Sequence, residues 1–392
     1  MKKTPKILLL VFLFVFAVGA TFLITFHEAG RLYSASASQS AAAKKTAEID
    51  SYLQKYFIDD YDEDKLADAA ASAMVTATGD RWSYYLSAAD YQTYLDSINN
   101  AYVGIGVTIT EDDDAGGMRI ESVTAGSPAE AAGIRVGDLL TKVEGKDTIS
   151  LGMTGTKDLV RGEEGTDVNL TLERDGKSFD VTVTRKSIET VVASCELLSG
   201  KIGYIKINNF DARCADETIA CVEKMTKAGA TSLLFDVRFN PGGLKTELVK
   251  VLDYLLPEGI LFQSVDYTGK KDIDYSDASS VSLPMAVLVN QDSYSAAEFF
   301  AAALQEYGAA TIVGSKTCGK GNFQTGFQLS DGSLLNISIG KYYTPKGKSL
   351  TDVGVTPDTE LDLSDDDYQE LYYGRLSQKD DEQLQAAISA LK

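Results

Sequence analysis

The run Asn290–Gln324 reads NQDSYSAAEFFAAALQEYGAATIVGSKTCGKGNFQ. An alanine-rich apolar stretch after Ser295 has the length of a helix, and the apolar Thr311–Gly314 that follows has the length of a buried strand. Helix then strand is the rhythm of an α/β domain. The same run sets Ser295 at the helix start, Lys320 between two glycines twenty-five residues later, and Gln324 four beyond that. The only histidine, His27, flanks the N-terminal apolar run. A folded catalytic domain here therefore holds neither a Ser-His-Asp triad nor a histidine-ligated metal, and lysine remains as the base for a nucleophilic serine.

Ser295-Ala296-Ala297-Glu298 is also a capping box, so the serine has a purely structural alternative. Lys320 shifts the balance, because a lysine between glycines after an apolar strand suits a buried position. Free lysine titrates at about 10.4, and desolvation lowers that value until the neutral amine can accept a serine proton. Gln324 is a candidate to hold the amine through its amide oxygen. Acyl transfer also needs two donors aimed at one oxyanion. The Ala296 N–H at the positive end of the helix is one candidate, and Gly242 or Gly243 in Asn240-Pro241-Gly242-Gly243 is the other.

Outward from this run, strands at Lys201–Ile207, Ser232–Val237 and Met285–Val289 alternate with helices near Asp216–Ala228 and Lys245–Leu256. They extend the α/β pattern over residues 189–360. Upstream, Tyr102–Ile188 reads as a compact strand-rich module. It holds the turn Gly104-Ile105-Gly106 leading into Val107, and the run SPAEAAGIRVGDLLTKVEGK with Ser127 and Glu130 as a capping box. A hairpin turns at Asp175-Gly176. In motif order the module resembles a PDZ domain. That resemblance implies a groove that adds a peptide as a strand and holds its terminal carboxylate on the amides of Gly104, Ile105, Gly106 and Val107.

Residues 47–101 read as a helical region without visible chemistry, in which Trp82 and its neighbouring tyrosines are expected to be core. Lys2, Lys3 and Lys6 precede Ile7–Phe26, which is free of charge. Twenty such residues make about 30 Å of helix, enough to cross a bilayer. We therefore expect an uncleaved anchor within residues 1–33, with Ala35-Ser36-Ala37 as the alternative cleavage site, a linker over 34–46, and everything beyond on the extracytoplasmic side. Residues 361–392 begin acidic and end in an amphipathic helix carrying Leu384, Ile388 and Leu391, which packs either on the body or on another copy in a homo-oligomer.

The net charge of −20 argues against nucleic acid as a partner. Cys195, Cys214, Cys221 and Cys318 are too scattered for a thiolate metal site and read as buried thiols or one incidental bridge. GSKTCGKG over 314–321 approaches a phosphate-binding loop. It fails where Gly321 replaces the metal-binding hydroxyl, and no helix follows.

Asp236–Leu244, Asn290–Glu298, GSKTCGKGNFQ and KYYTPKGKSLTDVGVTPD, taken in order with the PDZ-like module, are similar to the carboxyl-terminal processing peptidases. The resemblance implies a crotonase-like α/β core with an inserted PDZ domain. It implies Ser295 as nucleophile, Lys320 as general base, Gln324 as its partner, and no cofactor. Its substrates would be proteins with exposed C-terminal tails. Arg161 is a candidate for communication between the PDZ module and the active site. Tyr294, Phe239 and Cys318 depart from the family's usual alanine, asparagine and aromatic residue, and all three flank the cleft. The rival reading is a non-catalytic PDZ scaffold on an inactive core.

Overall fold

The structure is a computed structural model that describes residues 40–391. The expected anchor lies outside the described residues. Among those described, no helix is long and apolar enough to cross a membrane.

The chain divides into two compact units at Gly79/Asp80. In the first, helix α1 (Ala41–Tyr56) starts where the Ser40 hydroxyl accepts from the Ala43 N–H. Helix α2 (Glu63–Thr76) starts where the Asp62 carboxylate accepts from Asp64 and Lys65.

The second unit opens with β1 (Tyr84–Leu86), α3 (Ala88–Ile98, capped by Ser87) and β2 (Ala101–Gly104). The helical region expected over 47–101 is therefore divided. Tyr84, Tyr85 and Leu86 suit an extended backbone, and they pair antiparallel with Leu334–Asn336 far along the chain.

The PDZ module follows as β3 (Val107–Asp112), β4 (Gly117–Val123), α4 (Pro128–Ala131), β5 (Leu139–Val143) and β6 (Lys146–Asp147). It continues as α5 (Thr148–Val160), β7 (Asp167–Arg174) and β8 (Lys177–Thr184). Its sheet runs β3-β4-β5-β7-β8 around a core that includes Ile105, Met118, Leu140 and Leu172. Strand β9 (Lys186–Glu189) then returns to pair with β2, so a two-stranded ribbon carries the chain into and out of the module.

The α/β core contains β10 (Ala193–Leu198), β11 (Ile202–Ile207), α6 (Cys214–Lys227), β12 (Ser232–Asp236) and α7 (Lys245–Leu255). After these come β13 (Gly259–Asp266), β14 (Lys271–Ser276), β15 (Met285–Val289), α8 (Ala296–Tyr307) and β16 (Ala310–Gly314). The chain ends with β17 (Asn322–Gln328), β18 (Leu334–Tyr343), β19 (Thr359–Glu360), α9 (Asp365–Tyr372) and α10 (Glu382–Ala390). Strands β10-β11-β12-β15-β16-β19 form one sheet, parallel except for the β10–β11 pair. Strands β12 and β15 are buried at every position, as central strands covered on both faces must be. Leu384 and Ala387 of α10 pack with Leu234, Leu288 and Val313, which places the C-terminal helix on the body.

A second, antiparallel sheet of order β1-β18-β13-β14, with β17 on β18, is absent from the sequence reading. Its strands carry Gln263, Asp274, Gln324 and Ser338 among their apolar residues, which blurs the alternation that marks a strand.

Candidate active site

Strand β15 delivers the chain to a loop held against the end of β12. The Asn290 carboxamide oxygen accepts from the N–H of Phe239 at 3.0 Å and of Asp292 at 3.2 Å, and the Ser293 hydroxyl donates to the Val237 carbonyl at 2.7 Å. The loop then places Ser295 at the N-terminus of α8 with φ 59° and ψ −120°. That backbone is rare for a residue with a side chain and persists only where its surroundings enforce it. Gly242 packs directly against it. A Cβ at Gly242 would lie 2.7 Å from Ser295 Cβ and 2.8 Å from the Ala296 nitrogen, so only glycine fits.

One turn into α8, Glu298 is fully buried beneath Ser295. Its Oε2 accepts from the backbone N–H of Ser295 (3.0 Å) and of Lys320 (2.9 Å), and its Oε1 accepts from the Thr317 hydroxyl and the Gly319 N–H (both 2.6 Å). Burial holds this carboxyl above the usual carboxylate range, although all four donors oppose it. The loop that carries the serine and the loop that carries the lysine thus share one acceptor.

Ser295 and Lys320 line a single cleft of about 800 Å³ with Gly242, Gly243, Ala296 and Gln324. Lys320 Nζ lies 4.7 Å from the centre of the Trp82 ring. Burial lowers its pKa from the ordinary lysine value, while Asp80, Cys318 and Glu298 pull the other way and Arg81 adds to the lowering. Beneath the cleft, the buried Tyr342 phenol donates to the Lys320 carbonyl.

Two candidates sit differently from expectation. Gln324 Nε2 donates to the Asn322 carbonyl (3.2 Å) and to Ser338 Oγ (3.0 Å), and no hydrogen bond joins Gln324 to Lys320 among the described residues. The Gly242 N–H donates to Asn240 Oδ1 at 2.8 Å and is not free for an oxyanion, which leaves Gly243 and Ala296. Gly243, at φ 147°, has its α-carbon against Phe210 and Asp211, where a Cβ would meet backbone at 2.4 Å.

The sequence reading missed the segment Asp80–Trp82. Trp82, expected to be core, lines the cleft and lies tilted by 32° against Tyr294, with ring centroids 5.8 Å apart. Arg81 lies over Trp82 at 4.3 Å and donates to the Cys318 carbonyl and sulfur at 3.4 Å. A tryptophan two residues after an aspartate, just past Gly79, was the one available signal. Phe239 (φ 62°) packs its ring 5.0 Å from Tyr368 and 5.4 Å from Tyr372 of α9.

In the PDZ module, Gly104, Ile105, Gly106 and Val107 line a groove of about 220 Å³ between β3 and the end of α5. Arg161, just after that helix, sits over the Tyr102 ring at 5.2 Å on the same groove.

Residues 201–361 match the model of peptidase family S41, and residues 119–174 match a PDZ domain. The carboxy-terminal processing protease CtpA of Bacillus subtilis (strain 168) is 31% identical over 371 residues, spanning 93% of this chain and 79% of that protein. The chain belongs to peptidase family S41. This S41 peptidase is also 34% identical over 331 residues to the "Probable CtpA-like serine protease" of Staphylococcus aureus (strain N315), covering 83% of this chain and 66% of that relative. A crystal structure from Bacteroides fragilis assigned to the S41 proteases shares the fold, with a TM-score of 0.54 at 19% identity over 82% of this chain and 90% of that one. Membership makes the chain a serine-type carboxy-terminal processing protease and sets aside the scaffold reading.

Proposed function

We propose that this S41 peptidase is an extracytoplasmic endopeptidase that cleaves proteins presenting exposed C-terminal tails, with Ser295 and Lys320 as a catalytic dyad. The observation that carries the reading is the shared carboxylate. Glu298 ties the backbone of Ser295 to that of Lys320, and both side chains open into one cleft.

Neutral Lys320 takes the Ser295 hydroxyl proton as the oxygen attacks the scissile carbonyl, and the oxyanion is received by the N–H groups of Gly243 and Ala296. The resulting ammonium gives its proton to the departing amine. The acyl-enzyme is hydrolysed by water, with Lys320 again as base. Glu298 holds the two loops in register, Tyr342 holds the Lys320 loop, and Gln324 acts through the strand that carries it. The parallel sheet with helices on its faces supports a crotonase-like core.

The PDZ groove receives the tail. The N–H groups of Ile105 and Gly106 make no hydrogen bond among the described residues and are available to a terminal carboxylate. Three lysines followed by twenty uncharged residues support anchoring by Ile7–Phe26, with the peptidase outside.

The test is cleavage of an unfolded reporter with an apolar C-terminal tail by the full-length protein in detergent. Wild type is expected to cut it, amidation of the tail to slow cutting, and Ser295→Ala and Lys320→Ala to abolish it while remaining folded. Cutting that survives in both variants would overturn the dyad.

A further inference from the structure

One wall of the cleft carries a charge that the mechanism does not use. Asp211 lies just past the end of β11, where its backbone packs against Gly243, and a Cβ on that glycine would meet the Asp211 nitrogen at 2.7 Å. Its own N–H is taken by Asn209 Oδ1 at 3.0 Å, and its carbonyl accepts from the Cys214 N–H. The carboxylate has neither an ion pair nor a hydrogen bond among the described residues. Burial alone pushes it up to about 7, with no cation acting on it.

Tyr84, Tyr94, Ser97 and Ile98 line the same cleft; the Asp211 charge acts on Tyr84, and the Ile98 carbonyl accepts from the N–H of Ala212, the next residue, at 3.0 Å. The rings of Tyr84 and Tyr94 stand edge to face, with centroids 6.3 Å apart. Lys245, elsewhere in the cleft, is committed to Asp272 and Asp274 at 2.6 Å each, and Arg81 lies over Trp82. A half-buried carboxylate near Tyr84, whose ring meets Tyr94, with no cation of its own, is the chemistry that receives an alkylammonium or guanidinium group. Such a partner restores the ionised state that burial disfavours.

We propose that Asp211, with Tyr84 and Tyr94, forms a subsite that takes a lysine or arginine side chain of the bound polypeptide. The proposal deepens the peptidase reading and rests on it for the identity of the ligand. It assigns this S41 peptidase a preference for one basic residue near the scissile bond, in addition to any recognition of the tail.

The experiment scans fluorogenic peptides carrying Lys, Gln or Glu at each position on both sides of the cleaved bond, against the full-length protein. At one position wild type is expected to favour Lys over Gln about tenfold in kcat/KM, the scale of one charge-assisted hydrogen bond. Asp211→Asn should bring that ratio to about one, and Asp211→Lys should turn the preference toward Glu, an inversion that a structural role would not produce. Thermal melts establish that each variant is folded.

The same peptides are titrated against Ser295→Ala by fluorescence anisotropy, with and without Asp211→Asn. A Lys preference in binding that depends on Asp211, without cleavage by wild type, would sustain the subsite while the catalytic reading fails. The absence of a Lys preference at every position in both assays, or a preference unchanged by Asp211→Asn, overturns the subsite.

Discussion

The backbone N–H groups of Ser295 and Lys320, twenty-five residues apart in the chain, converge on a single oxygen of Glu298 at 3.0 and 2.9 Å. Each distance alone is an ordinary capping contact. Together they make the spacing of nucleophile and base a property of one buried carboxylate.

Glu298→Gln therefore tests the hinge of the site. An amide presents N–H to at least one of the two pairs of donors that the carboxylate now satisfies, and a buried donor facing donors costs about 1–3 kcal/mol. We expect kcat to fall at least about a hundredfold, since small misplacements of reacting groups cost that much. Stopped assays beside a denaturation curve will separate the two effects; near-normal kcat would show that the loops hold themselves.

The neutral amine of Lys320 is the working base, so kcat/KM should rise with pH through the Lys320 ionisation, which burial places below its ordinary value of about 10.4. Asp80 carries a charge that favours the ammonium. Its own carboxyl is depressed: burial opposes ionisation, but hydrogen bonds from Ser338, Ser83 and the Trp82 N–H outweigh it. Asp80→Asn removes that charge, leaves Cys318, Glu298 and Arg81 in place, and should move the acid limb of the profile to lower pH. A limb that stays or moves up contradicts the assignment of Lys320 as base.

Gly242→Ala places a methyl group 2.7 Å from Ser295 Cβ at a residue with φ 91°. The Ser295 backbone must shift to admit it. We expect activity to drop by about two orders of magnitude or more, with a smaller loss of stability because the strain sits on loops. Labelling by a serine-directed acylating probe reports whether Ser295 remains reactive; labelling at the wild-type rate would refute the close fit.

Arg238 is buried at the end of β12, where Asp236 and Asp381 both grip its guanidinium at 2.6–3.2 Å. Burial works against the Asp236 charge, but Arg238 outweighs it and holds that carboxyl below the usual range. Its contribution is present above about pH 4 and is lost as pH falls through the depressed folded value. Asp381 also caps α10 through the Leu384 N–H. Asp381→Asn leaves the Asp236 contact but weakens two charge-assisted bonds, at a cost of about 2 kcal/mol of unfolding free energy in urea. An unchanged midpoint would mean that the C-terminal helix is held by its apolar contacts alone.

Much of the α/β core was legible because its central strands are uninterrupted apolar runs and its helices have clear starts. Met285–Val289 has the bounds expected of it, and α7 ends one residue short of the expected Leu256. The PDZ module was legible because its turns and capping box recur in fixed order. Ser295 and Lys320 stood out by elimination, since a chain whose one histidine is His27 offers few other bases.

What stayed hidden has a common cause, which is contact between residues far apart in the chain. Strand β1 is three residues long and meaningful only against β18. Trp82 gains its place from Lys320, Asp211 from Tyr84 and Gly243, and the Gly242 amide is removed from the oxyanion role by Asn240. Local spacing determined which groups could react and in what elements they sit, because periodicity and capping act over a few residues. Burial, orientation and the pairing of donors with acceptors were decided only when packing brought distant segments together, and those three set the ionisation of Lys320 and the shape of the cleft.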